Sequence, residues 1–358
     1  MNKFARNIVI FGAVIIVMLV CVLYFASRKM LQEIESRLNQ GMEIARVQVE
    51  KAESSQYGIQ SFEYMPFKCS GLMDYKCKTD KITIYMDDFT TTHKDIRETI
   101  QLYDLTLIGE DIKSKNHLSF KVKTDIEYPT MSKVDLDPKK DQLAMLYKLT
   151  SDALLPNKIE CEQNYVYKSD DDTVHTITAN TTCSLMSKMF DAQLRSTNVF
   201  APNIERAHII GILYEIAMAM NGDSSKEKNQ AQNIPHELLL LRLNFKPKQS
   251  FDDFINSNKK LTNEQKSAIK IQFDTNVNFI NMIVPRFASK YLGLSGREIV
   301  DGLNKLILFE TRELDIKFEL KNPPNFQPIK NFKNMSIFEW LGYLGNNYTI
   351  NVTSTENM

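Results

Sequence analysis

The chain has 358 residues, 43% hydrophobic and 25% charged, enough for one large domain or two ordinary ones and without the bias of a disordered or collagenous polymer. Its 44 basic and 44 acidic residues give a formal net charge of zero, so no global field draws it to nucleic acid or to an anionic bilayer surface. Nucleic acid is excluded as an expected partner on that ground.

Ile8 to Ala26 contains no charged residue, and at about 1.5 Å per helical residue it nearly matches a hydrocarbon core of about 30 Å. A cleaved signal peptide needs a shorter apolar stretch and small residues before the cut, whereas Tyr24 and Phe25 stand there. The run is expected to be an uncleaved anchor. Lys3 and Arg6 precede it and Arg28 and Lys29 follow, so charge alone leaves its orientation nearly tied. Residues 28–52 then place Leu31, Ile34, Leu38, Met42, Ala45 and Val49 on one helical face. Two readings fit that stripe, a short dimeric coiled coil and a helix packed on its own domain.

From residue 56 the period becomes two. KITIYM puts Ile82, Ile84 and Met86 on one face, and HLSFKVKTDIEY does the same with Leu118, Phe120, Val122, Ile126 and Tyr128. TIQLYDLTLI is a further strand and PKKDQLAMLYKLTSDALL a short helix. Four cysteines outside the apolar run form two local pairs. If Asp170 to Asp172 hold the turn of CEQNYVYKSDDDTVHTITANTTC, opposing residue numbers sum to 344 and Cys161 faces Cys183, on the side that carries Tyr165, Tyr167 and Ile177. In FKCSGLMDYKC a turn near Gly71 to Asp74 brings Cys69 toward Cys77. Two disulfides imply an oxidising compartment. That settles the orientation in favour of a cytoplasmic N-terminus and a periplasmic bulk.

KMFDAQLRSTNV, LLLLRLNF, LDIKFEL and YTINV supply later strands. Thr262 with Gln265, Ser295 with Glu298 and Ser336 with Glu339 have the spacing of capping boxes and mark three helix starts; Gly293 should stop a helix, and Pro285 should bend or end one. The expected class is α+β, a one-faced antiparallel β-sheet covered by helices and preceded by a single N-terminal transmembrane helix and a helical stalk. The expected divisions are residues 1–27, cytoplasmic tip and anchor; 28–55, stalk; 56–200, a β-rich periplasmic part with two cysteine-closed hairpins; and 201–358, a mixed α/β part continuous with the same sheet.

Two segments are more apolar than that plan requires, Ala207 to Met220 and the helix that aligns Ile269, Phe273, Val277, Ile280 and Val284. They fit a packed core, and they also fit a groove for a lipid or other hydrophobic ligand lined by Ile212, Met218, Phe273 and Ile280. Motifs of chemistry are missing. His93, His117, His175, His208 and His236 are scattered, HELLL at His236 lacks the second histidine of a zinc protease, and no phosphate-binding loop or EF-hand occurs. No catalytic residue, metal site or cofactor is expected, and the chain is read as a non-enzyme.

The start MNK, the apolar span, the segment SRKMLQEIESRLNQ and the aromatic strand SFEYMPFKCSG resemble the YdgA-like family of anchored bacterial periplasmic proteins of unknown function. The resemblance covers roughly the first 90 residues and implies placement and topology, with no catalytic residue to carry over. The function expected from the whole sequence is that of a scaffold or accessory subunit of the cell envelope, with the inner membrane and envelope proteins as partners. The alternative is a module that binds lipid or another hydrophobic ligand.

Overall fold

The alternating stretches fold into strands of up to 13 residues, about twice the usual length. The computed structural model describes residues 30–51, 59–71, 74–86, 98–111, 114, 116–128, 149, 153–170, 174–201, 235–259, 261–322, 327–328 and 335–356. The helix α1 (Met30–Lys51) is followed by β1 (Ile59–Tyr64), β2 (Lys68–Ser70), β3 (Tyr75–Met86), β4 (Glu98–Glu110), β5 (His117–Glu127), β6 (Lys158–Asp170), β7 (Val174–Met186), β8 (Phe190–Phe200) and β9 (Pro235–Pro247). Then come α2 (Phe251–Ser257), α3 (Asn263–Leu292), α4 (Leu294–Ile307), β10 (Thr311–Leu320), β11 (Gln327–Pro328), α5 (Ile337–Asn347) and β12 (Tyr348–Glu356).

The strands make one 12-stranded antiparallel sheet whose order, β1-β3-β4-β5-β6-β7-β8-β9-β10-β12, follows the chain; β2 pairs with β3 and β11 with β9. This corrects the expected α+β class. The described helices do not blanket one face of the sheet. Most stand toward its two ends, with α1 against β1 and β2 and α4 and α5 against the last strands, while α2 and the start of α3 pack on Met189 and Phe190 at the β7–β8 turn. The reason is geometric, because nine steps of about 4.8 Å make a sheet roughly 43 Å wide, several helix diameters across. Among the described residues no helix is long and apolar enough to cross a membrane. The span expected at Ile8 to Ala26 lies outside those residues, as does most of the helix expected at PKKDQLAMLYKLTSDALL.

One apolar row crosses ten strands through directly opposed residues. It runs Cys69, Cys77, Leu107, Val122, Cys161, Cys183, Leu194, Leu243, Ile316 and Val352. Both disulfides, Cys69–Cys77 and Cys161–Cys183, lie in this row, each with Cα atoms 4.0 Å apart. The β6–β7 register is the one implied by the aspartate turn, from Lys158 opposite Met186 to Asp170 opposite Val174. The neighbouring row points the other way and is polar: Lys78, Thr106, Lys123, Glu160, Ser184, Gln193, Asn244, Asp315 and Thr353. The sheet is thus one-faced, as its alternation demands.

The helix α1 lays Ile34, Leu38 and Met42 against β1 and β2, into a core cluster that continues along the sheet through Phe62, Ile82, Leu118, Tyr165 and Ile177. Of the two readings of its stripe, packing on its own sheet is the one found. Polar contacts fix it there. Asn39 accepts from the Phe67 amide at 2.7 Å and donates to the Phe67 carbonyl at 3.1 Å, and Glu35 accepts from the Cys69 amide at 2.8 Å. These bonds occupy backbone groups of a short edge strand that would otherwise face water or another chain.

Two of the three expected capping boxes are present, at Thr262 and Ser336. The third is corrected: α4 starts at Leu294 directly after Gly293, and Ser295 lies inside it with its hydroxyl on the Ile350 carbonyl. Gly293, at φ 64°, caps α3 and lets the next helix begin without a spacer. The helix α3 runs through Pro285 to Leu292 rather than ending early.

Candidate functional site

The alternation of β3 and β4 changes phase halfway along. In β3 the alternating buried positions are Tyr75, Cys77 and Thr79 before the change and Ile82, Ile84 and Met86 after it, with Thr83 buried as well; in β4 they are Ile100 and Leu102, then Leu105, Leu107 and Gly109, with Thr106 also buried. The changes coincide at Asp80 and Asp104, which flank each other in the register, and Asp104 takes φ 52°, the left-handed region that aspartate tolerates better than most residues. The β4–β5 register also slips by one between Tyr103 and Thr106. A joint bulge of this kind bends strands and re-aims side chains.

The bend lies beside a cleft of about 230 Å³ spanning four strands, lined by Lys76 and Lys78 of β3, Asp104 and Thr106 of β4, Lys123, Thr124 and Asp125 of β5, and Lys158 of β6. Three of these residues, Lys78, Thr106 and Lys123, are consecutive members of the polar row. Lys78 is anchored by Asp104 at 2.7 Å and Asp80 at 3.6 Å, and Lys158 by Glu160 at 2.7 Å. Those hydrogen bonds hold both ammonium groups above their ordinary pKa against some desolvation. Thr106 and Thr124 are occupied with the carbonyls of Asp104 and Tyr103. Lys76 and Lys123 are exposed and make no ion pair among the described residues. The cleft therefore offers two cations outside the described ion pairs, against the single carboxylate Asp125, on a fixed backbone. It suits an anionic group, and at this exposure the attraction is screened by salt.

Other polar groups of interest are structural. Glu237, buried in β9, accepts from the Tyr343 hydroxyl at 2.9 Å, and Tyr348 donates to the Leu238 carbonyl, so α5 and β12 are tied to β9. Burial first, and then Glu237, push the Tyr343 hydroxyl up to about 12. His236 packs on Phe200 and lies 3.0 Å from Asn198 Oδ1, and burial lowers its pKa to about 4. His117 sits exposed, 2.9 Å from Asp111 Oδ2. Among the described residues no three His, Cys, Asp or Glu side chains converge as a metal site would require.

The cysteines expected to pair do so. Of the residues expected to line an apolar groove, Ile212 and Met218 lie outside the described residues. Phe273 stacks on Phe251 with ring centroids 3.8 Å apart and packs on the core cluster of Phe254, Ile255 and Ile269. Ile280 falls in α3, but its side chain is also outside the description. The structure does not bring these four into one described cavity. The cleft was missed from sequence, although its signal was visible: the strand segments Lys76-Cys77-Lys78 and Lys121-Val122-Lys123 each put two lysines on the outward face. No family model matches the chain, and no curated protein matches it.

Proposed function

We propose that the protein is a non-catalytic scaffold or accessory subunit of the bacterial cell envelope, held at the inner membrane with its bulk in the periplasm. The placement rests on the uncharged run Ile8 to Ala26 and on two disulfides, which suit an oxidising compartment. The observation that carries the scaffold reading is the cleft on the polar face, where Lys76 of β3 and Lys123 of β5 make no ion pair among the described residues and β3 is stapled to β2 by the Cys69–Cys77 bond. Such a surface holds an acidic segment of a partner without doing chemistry on it.

A second reading, a lipid or hydrophobic-ligand binder, is favoured by one feature: Cys161, Cys183, Leu194 and Leu243, in the middle of the apolar row, are only half-buried. Native mass spectrometry after gentle detergent extraction separates the two. Partner chains in fixed stoichiometry, lost on Lys76→Glu with Lys123→Glu, support the scaffold. Lipid retained by a monomer, unaffected by those substitutions, supports the binder and overturns the scaffold reading, as does a bare monomer.

A further inference from the structure

A helix on a protein surface normally buries one apolar stripe and turns polar residues outward. The helix α3 buries Ile269 and Val277, yet Ile271, Phe279 and Met282 on another side are 67%, 59% and 61% exposed, Phe287 in its C-terminal half is 54% exposed, and Leu294 just beyond Gly293 is 78% exposed. Phe279, Met282, Arg286 and Lys290 follow the spacing i, i+3, i+7 and i+11 and so share one face. From Thr275 to Arg297 there is no acidic residue, and the charged positions are Arg286, Lys290 and Arg297. Arg286 and Lys290 are exposed beside the apolar side chains.

The surface is held in shape. Gly296 of α4 and Gly345 of α5 lie so close to the Ala288 and Tyr291 carbonyls of α3 that a Cβ would stand 2.4 and 2.1 Å from those oxygens. Tyr291 packs on Phe338 of α5 with centroids 5.4 Å apart. Exposed aromatic and aliphatic groups interleaved with cations, on a helix free of acids over that length, match the two layers of a bilayer interface. The apolar groups enter the acyl boundary while Arg and Lys reach the phosphates. A protein partner's buried contact would instead be depleted of lysine.

We infer that the C-terminal half of α3, with Leu294, docks on the surface of an anionic phospholipid bilayer. The attraction is local, since the chain as a whole carries no net charge. The docking face belongs to the end of the sheet occupied by α4, α5 and β12, whereas α1 lies at the β1 and β2 end. Contact at α3 lays the sheet along the membrane rather than leaving its far end free. The inference stands independently of what the lysine cleft binds.

The test uses the full chain with Met282→Trp in a Trp340→Phe background, which leaves one indole, since Trp340 is the sole tryptophan. The protein is reconstituted in vesicles of phosphatidylcholine alone or mixed with phosphatidylglycerol, with bromine on the acyl chains near the headgroup. Quenching is expected in the mixed vesicles only, and Arg286→Gln with Lys290→Gln should lower the docked-to-free ratio roughly thirtyfold, from two surface charges at about fivefold each. Hydrogen exchange of the unsubstituted chain should slow over residues 276–292 in mixed vesicles alone, which guards against a folding defect in the variant. Equal exchange in both vesicle types overturns the inference. So does an indole that is shielded without quenching as protein concentration rises, which would mean that a second protein chain covers the face.

Discussion

Replacing Cys161 and Cys183 together by Ser tests whether the apolar row is held by the cross-link or by packing alone. The bond closes a sequence separation of 22, and the chain-entropy relation then gives about 3 kcal/mol at 25 °C, against roughly 2.5 kcal/mol for Cys69–Cys77 with its separation of 8. Cys161 and Cys183 are only half-buried, so two hydroxyls in their place add little desolvation cost. For a chain of 358 residues the loss corresponds to a fall in melting temperature of roughly 4–5 °C. Urea unfolding followed by circular dichroism should show it for the double variant. The parent in reductant should lose about 6 kcal/mol, because both bonds open, if the two loops act independently. The native spectrum should not change, because the effect lies in the unfolded chain. A double variant within about 0.5 kcal/mol of the parent would refute the reasoning, as would thiols at both positions that alkylate under native conditions.

The half-buried His236 gives a pH prediction. Its folded pKa, about 4, lies below the ordinary 6.5, so the unfolded chain binds the extra proton: stability is intact above pH 6.5 and falls as pH drops toward 4, by about 3 kcal/mol at most. His236→Gln should flatten that slope in urea titrations at pH 4.5 and 7, and an unchanged slope would assign it elsewhere. On α5, Gly345→Ala should cost at least 1–3 kcal/mol because its Cβ meets the Tyr291 carbonyl, whereas Gly342→Ala, with open space around it, should be neutral or stabilise by up to about 1 kcal/mol. Thermal melts of the two variants in parallel decide it. Ser336→Ala removes a hydroxyl that accepts from the Glu339 amide at 3.2 Å, and it should cost about 1 kcal/mol by the same assay.

Much of the fold was written locally. The hairpin register followed from one turn and strict alternation, because a slip by one residue would move Tyr165 and Ile177 to the polar face. The Cys161–Cys183 bond followed from it, the Cys69–Cys77 bond from the separate turn near Gly71 to Asp74, and the stripe of α1 from helical spacing. The Thr262 and Ser336 boxes were readable because their atoms lie within one turn of each other. The third box misled, since Ser295 has the right spacing but Gly293 had already restarted the helix.

What the sequence did not contain was the arrangement of these pieces. Strand identity carries no statement of how many neighbours join one sheet, so the breadth that leaves most of the described helices toward its ends appeared only in three dimensions. The lysine cleft needed the joint bulge at Asp80 and Asp104 and a register across β3 to β6, which unites residues more than 80 positions apart. The exposed side of α3 was likewise hidden. Its apolar residues lie nearly all round the helix, and only packing against α4 and α5 decides which of them are covered. Periodicity reports contacts within a turn or a hairpin, whereas burial depends on which distant surfaces meet.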